Sequence, residues 1–496
     1  MMKHNILYRI FVCCAVLGLV FPFIGCDKES NVEQPTEIML SVAPLTLEFE
    51  AETESKTVKI ATDGDRWIFL DGYPSWIDVV EDGDMLTVTV EKNGTGATRS
   101  GLIDIKAIRG SDSRTKSIVV RQYAEGDAPD DGYVHFGDDA FEELILGYYD
   151  ANGDGRLSLD EAKRITQLDV ADSGIKSLRG VERFSELVQL ECEYNALTSL
   201  DVGGLAKLKY LICDHNAIAS LNIEGCTSLT SIICSDNKIT SLNVKDVCKG
   251  LEFLNCGRNK LTRMDVSGMK SLQHFYCEMN EIAAVDVGGC TAMTTLVCHR
   301  NSISSLDIKG LAQVNYLRCE QNRLTTLDVS DQPLLELMEC YENMLNELDL
   351  SNNPLMTILV CHSNDISKLV IDKCTALETL DCSTNRLVSL DVSMMPEMKS
   401  LNCRANNLAS LDLGGCTKME YLTCDNTGIA AVEVSHMPSL KEFVCNDNRL
   451  TTLDVSANRA LAKLHCQGNS LADLWLAAGQ TIADLKVDDR SVIKYK

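Results

Sequence analysis

The chain has 496 residues, with 72 acidic against 46 basic side chains, 22 cysteines and only 11 Phe, 13 Tyr and 3 Trp. A net charge of −26 excludes nucleic acid as a partner and excludes adsorption to an anionic bilayer through basic residues, because both need a basic face. The length allows several domains, and 45% hydrophobic content allows most of the chain to fold.

Residues 1–25 read as an export signal. Lys3 and Arg9 form a short basic region, and the apolar run Phe11 to Ile24 is too short for a spanning helix of about 20 residues. The run closes in Phe23-Ile24-Gly25-Cys26, which resembles the lipobox of bacterial lipoproteins, with Phe23 where Leu is usual. That resemblance implies an acylated Cys26 holding a soluble body on a membrane, with a cleaved, unlipidated signal as the alternative. Asp27 and Glu29 resemble the export tag of surface lipoproteins in Bacteroidetes, implying an outer-membrane lipoprotein exposed at the surface. Residues 26–37 are polar and read as a tether.

Between 38 and 124, alternation in Val58-Lys59-Ile60, Leu86 to Val90 and Leu102 to Ile105, with Ile118-Val119-Val120, predicts an antiparallel β-sandwich. Trp67, Pro74-Ser75-Trp76, Arg99-Ser100-Gly101 and Val120-Arg121-Gln122 resemble, in that order, the BACON family. The resemblance implies an immunoglobulin-like fold and a carbohydrate-binding role, with a spacer role as the alternative. Both tryptophans are read first as core and second as sugar-stacking faces.

A linker at 125–136 leads to a helical segment at 137–165 whose loop, Asp150 to Glu161, fits the EF-hand spacing. Side-chain oxygens of Asp150, Asn152 and Asp154, the carbonyl of Arg156, Ser158 and a bidentate Glu161 make an all-oxygen set suited to calcium. Phe141, Leu144, Ile145 and Tyr148 recur at helical spacing before it, and a second helix, Leu159 to Ile165, is expected after it. With one hand only, the site is read as structural, stapling a helical cap to the start of a repeat domain.

Self-comparison organises that domain, residues 166–481. The pattern Leu187-x-x-Leu190-x-Cys192-x-x-Asn195-x-Leu197-x-x-Leu200-Asp201-Val202 recurs every 21 residues, with one 22-residue step between Cys234 and Cys256 and a copy without cysteine at 166–186. In each unit a strand points Leu and Cys inward, Asn caps backbone groups, and Leu-Asp-Val forms a second short strand. Asn yields to Thr427 in one unit, where a local weakness is expected. The Asp column is read as capping loop amides, and the cysteines as free buried thiols, since strand spacing does not suit disulfides. Together these features resemble the internalin J-like, cysteine-ladder branch of bacterial leucine-rich repeat proteins, which implies a ligand-binding architecture.

The expected fold is therefore mostly β: an N-terminal immunoglobulin-like sandwich, a helical EF-hand cap, then a right-handed leucine-rich repeat solenoid of about 15 coils and a C-terminal cap at 482–496. Outward positions of the middle coils (Phe253, Arg258, His274, Tyr276, His299, Arg300, Tyr316, Arg318, Tyr341 and His362) make a semi-apolar face for a protein ligand, or alternatively a glycan. The plain alternative is that these are solvated strand residues with β propensity. No catalytic motif emerges, and no enzyme is expected.

Overall fold

The computed structural model describes residues 38–49, 53–95, 97–124 and 132–496. The leader, the tether and Cys26 lie outside the described residues.

Residues 38–124 form two four-stranded sheets. One orders the strands Leu40–Ala43, Glu54–Thr62, Met85–Val90 and Ile77–Asp82; the other orders Thr46–Phe49, Asp112–Gln122, Arg99–Arg109 and Arg66–Phe69. All neighbouring pairs are antiparallel except Thr46–Phe49 with Asp112–Gln122. Alternation explains the core: Val58, Ile60, Leu86 and Val88 from one sheet meet Ile103, Ile105, Ile118 and Val120 from the other, all fully buried.

The helix Asp139–Tyr149 starts at Asp138, whose carboxylate accepts the amides of Ala140 and Phe141. It buries Phe141 and Ile145 in the same core that runs on through the solenoid. The outgoing helix is shorter than the sequence suggests, ending at Ala162. Arg164 and Ile165 donate to carbonyls three residues back, so the chain tightens into a turn and enters its first strand at Gln167.

From there, sixteen three-residue strands stack parallel into one sheet, each residue opposite its equivalent one repeat on, as Gln189 is opposite Tyr210. The expected count of about 15 is one short. The last strand, Asp484–Lys486, belongs to this sheet although its coil carries Val487 where the ladder has cysteine. The extra residue of the 22-residue coil is absorbed outside the sheet, where Ser231 still pairs with Phe253. Opposite this sheet, the Leu-Asp-Val segments pair only in places, as at Ser199–Asp201 with Ser220–Asn222 and Ser389–Asp391 with Ser410–Asp412.

Three columns hold the stack together. The first is thiol: the nineteen described cysteines are free and buried. Some donate weakly to a carbonyl of the next coil, as Cys192 does to Ile212 at 3.4 Å. The second is amide. Asn216 donates to the carbonyls of Cys192 and Cys213 at 3.0 and 3.2 Å, while its oxygen accepts the amide of Leu197 at 3.0 Å. Each such Asn therefore clasps two coils and satisfies peptide groups that burial would otherwise leave idle. The third is carboxylate: Asp328, Asp349 and Asp391 each accept the amide two residues ahead at 2.9 to 3.0 Å. Hydroxyl and amide bonds from Ser330 hold Asp328 below the ordinary carboxylate range, which is how like charges tolerate strand spacing.

An exposed column on the late coils alternates in sign. Glu378 meets Lys399 at 2.7 Å, and Glu420 meets Lys441 one pair further along.

The sandwich and the solenoid touch through an ion pair, Arg121 Nη2 to Asp201 Oδ2 at 2.7 Å. Among the described residues no helix is long and apolar enough to cross a membrane.

Candidate ligand face and acidic loop

Strand alternation decides which side chains reach the long sheet's outer face. The middle residue of each triplet goes inward, as Phe275 and Leu317 do, while its neighbours face out. The ten residues expected to form a face are placed in three kinds of position. Phe253, His274, Tyr276, Tyr316 and Arg318 lie on strands, and His299, Tyr341 and His362 directly follow a ladder cysteine. Arg258 and Arg300 sit in the next turn with left-handed φ of 53° and 52°. Thirteen of the equivalent turn positions, from Tyr194 to Asp447, share that left-handed φ without being glycine. The strain costs on the order of 1 kcal/mol each and is held by the adjacent Asn clasp, except at Asn426, where Thr427 stands in its place.

Phe253 is only 7% exposed, because His274 and Tyr276 lie over it with ring centroids at 6.0 and 5.5 Å. It supports the face from beneath and offers little surface of its own. Tyr341 and His362 stack at 4.4 Å and 16°, making a flat two-ring platform across adjacent coils.

The charged centre of the face is built on Arg318. Its Nη2 reaches Glu320 Oε1 at 2.6 Å and Glu339 Oε2 at 3.0 Å. Glu320 is 1% exposed, and burial raises its pKa, as it does for Glu278. His299 stands 3.7 Å from Glu320. Burial, then the guanidinium groups of Arg318, Arg300 and Arg258, hold His299 down to about 4, so it is neutral at pH 7. Four atoms here, Glu278 Oε2, His299 Nδ1, Arg318 Nε and Glu320 Oε2, are buried without a hydrogen-bond partner.

The loop after Asp139–Tyr149 is wrapped on its own amides. Asp150 accepts from Gly153 and Gly155 at 2.8 Å, Asn152 from Asp154 at 2.8 Å, and Asp154 from Arg156 at 2.9 Å. Gly153 and Gly155 take left-handed φ of 71° and 77°, which the sharp turn requires. Glu161 accepts from Ser158 Oγ at 2.8 Å and from the amides of Ala151 and Ser158, both at 2.9 Å, and these bonds lower its pKa. The donor types and the backbone course fit a hard cation. The carboxylates themselves are spent on amides, and among the described residues no three or more His, Cys, Asp or Glu side chains converge on one cation-sized point.

No family model matches the chain, and no curated protein does. Among solved structures, the functional domain of InlJ from Listeria monocytogenes, which includes a cysteine ladder, is 30% identical with a TM-score of 0.58, over 69% of this chain and 74% of that one. The chain belongs to the cysteine-ladder leucine-rich repeat family. The fold also recurs at lower identity in the plant peptide hormone receptor RGFR1, in complex with RGF2, at 19% identity and a TM-score of 0.54 over 64% of this chain and 61% of that one.

Two features of this cysteine-ladder solenoid escape a reading of residue types. Aliphatic side chains join the aromatic ones on the face: Leu337 and Ile358 continue the column of Tyr316 on paired strands, and Val360 stands opposite Glu339. The period of 21 places them there, but Val and Leu in strands look like core until the phase is counted. The second interior column, which holds Cys226, Cys248, Cys290, Cys374 and Cys416, also contains Gln332, Asn353 and Asn458, all fully buried. Asn353 donates to the carbonyls of Val329 and Gln332 at 2.9 and 2.8 Å, so this column is a second amide clasp. A proline after Gln332 and after Asn353 was the available signal.

In the N-terminal sandwich, three of the four short motifs meet. The Arg99 guanidinium lies 4.4 Å over the Trp76 ring and bonds Gln122 Oε1 at 2.8 and 2.9 Å. Trp67 and Trp76 both pack against the core of the two sheets.

Proposed function

We propose that the concave face of the middle coils binds a protein or peptide ligand. The observation that carries this reading is a row of half-exposed Tyr316, Leu337 and Ile358 on consecutive strands, with half-exposed Tyr276 two strands away, around an arginine already oriented by two carboxylates. Rigid aromatic anchors with a central Arg are the composition of binding hot spots. The fold relative that is a receptor in complex with RGF2 makes a peptide a reasonable occupant. Peptide-library selection on the full chain tests it. Tyr276→Ala and Leu337→Asp should each weaken selected peptides about tenfold or more. Affinities unchanged in both variants would place binding elsewhere. A glycan reading has less support, since Arg99 covers one face of Trp76 and leaves Trp67 as the stacking candidate.

The loop from Asp150 to Glu161 takes calcium as a structural ion, with Asp150, Asn152, Asp154, Arg156, Ser158 and Glu161 as its ligands. Asp154→Ala should lower the melting temperature in calcium buffer; a melt that neither this change nor EDTA moves would sink the assignment. Lipid on Cys26 would hold the chain at the outer membrane, facing outward. Cys26→Ser should then release it into the soluble fraction and abolish labelling by a palmitate analogue.

A further inference from the structure

The calcium loop stands alone in sequence, yet its far side is not left bare. Leu157 accepts the amide of Val134 at 2.8 Å, and Leu159 donates to the carbonyl of Gly132 at 2.9 Å. Between them Tyr133 and Ser158 form an antiparallel bridge. The Arg156 guanidinium lies 3.7 Å over the Tyr133 ring. The segment Gly132–Val134 thus runs as a short strand beside residues 157–159.

The same segment is seated on the solenoid. Val134 is buried in the continuous solenoid core. Gly180, with φ of 104°, admits it: a Cβ there would lie 2.9 Å from Val134 Cγ1 and 3.1 Å from the His135 carbonyl. One short stretch of backbone therefore touches both the loop and the first coil.

We propose that Gly132–Val134 is a positioning element of the calcium site, so that metal binding in the loop and seating of this strap on the first coil are coupled. The proposal rests on the calcium assignment above. Two of the six expected donors, the Arg156 carbonyl and Ser158, sit on or next to the backbone that the strap bonds. A strap in place leaves less of the loop to be ordered by the ion, and a bound ion leaves less of the strap free to lift. Because coupling free energy is reciprocal, the two effects must be equal in size.

The test uses the full chain, calcium titration calorimetry and amide hydrogen exchange. Tyr133→Ala, which removes the ring under Arg156, should weaken calcium binding about fivefold or more, and Tyr133→Phe should restore it. Calcium should slow exchange at the Val134 and Leu159 amides of the unaltered chain by a matching factor. If the unaltered chain binds no calcium, the calcium assignment itself fails. If it binds calcium, loses it in Asp154→Ala and keeps it within about twofold in Tyr133→Ala, with Val134 exchange indifferent to calcium, the coupling is overturned and the assignment stands. The exchange measurement decides even if Tyr133→Ala does not fold.

Discussion

Arg318 and Glu320 show how a surface group on this face depends on a buried one. Glu320 is almost wholly covered, and Arg318 is the cation that compensates it. Arg318→Ala therefore strands a buried carboxylate and should cost about 2–3 kcal/mol, read from the urea midpoint. The double variant Arg318→Ala with Glu320→Gln should recover most of that loss, and only the double variant separates it from the role in ligand binding proposed for Arg318. Equal stability of the single and double variants would contradict the burial argument. The cysteines make the opposite point, since they need no partner. Burial pushes the thiol of Cys290 up to about 11 and that of Cys226 up to about 12. In native buffer a thiol reagent should find none of the nineteen described groups, and in denaturant all of them.

At the level of the coil, the clasp is the unit of stability. Asn322 donates to Cys298 and Cys319 at 3.0 and 3.1 Å, and its oxygen accepts the amide of Ile303 at 2.9 Å. Asn322→Ala removes all three and should cost about 2–4 kcal/mol in chemical denaturation. Where Thr427 replaces Asn, the chain reroutes: Leu408 donates to the Thr427 carbonyl at 2.8 Å, and Asn448 accepts the amides of Thr427 and Gly428. The Thr427 hydroxyl bonds Cys424 within its own coil and is too short to span to Cys403, so amide exchange should be faster there than in neighbouring coils. This element was legible because Leu, Cys and Asn repeat at one spacing and each has one physical job. The last coil was not, because Val487 fills the cysteine place without a thiol to mark it. The face was legible in its rings and arginines but not in Leu337 or Ile358, whose type says core and whose phase says surface. Phe253 erred the other way: its phase says surface, and its neighbours cover it.

Taken whole, the solenoid is a stack of protonated thiols, and that sets its response to alkali. The folded values are raised above the ordinary one near 9, so the native state keeps protons that the unfolded chain surrenders. Stability is then full below about pH 9 and falls as pH climbs toward 11 and 12, with each tenfold gain in a thiol's proton affinity on folding contributing on the order of 1.4 kcal/mol. Urea midpoints should be flat to about pH 8 and drop above 9; a flat profile to pH 10 would mean the thiols are not protonated in the core. The alternating column of the late coils bears on something else, the history of the chain's length. Glu378, Lys399, Glu420 and Lys441 change sign from coil to coil. Loss of the single coil carrying Lys399 would set Glu378 against Glu420, whereas loss of two would set Glu378 against Lys441. Repeat number in this stretch is therefore freer to change by two than by one.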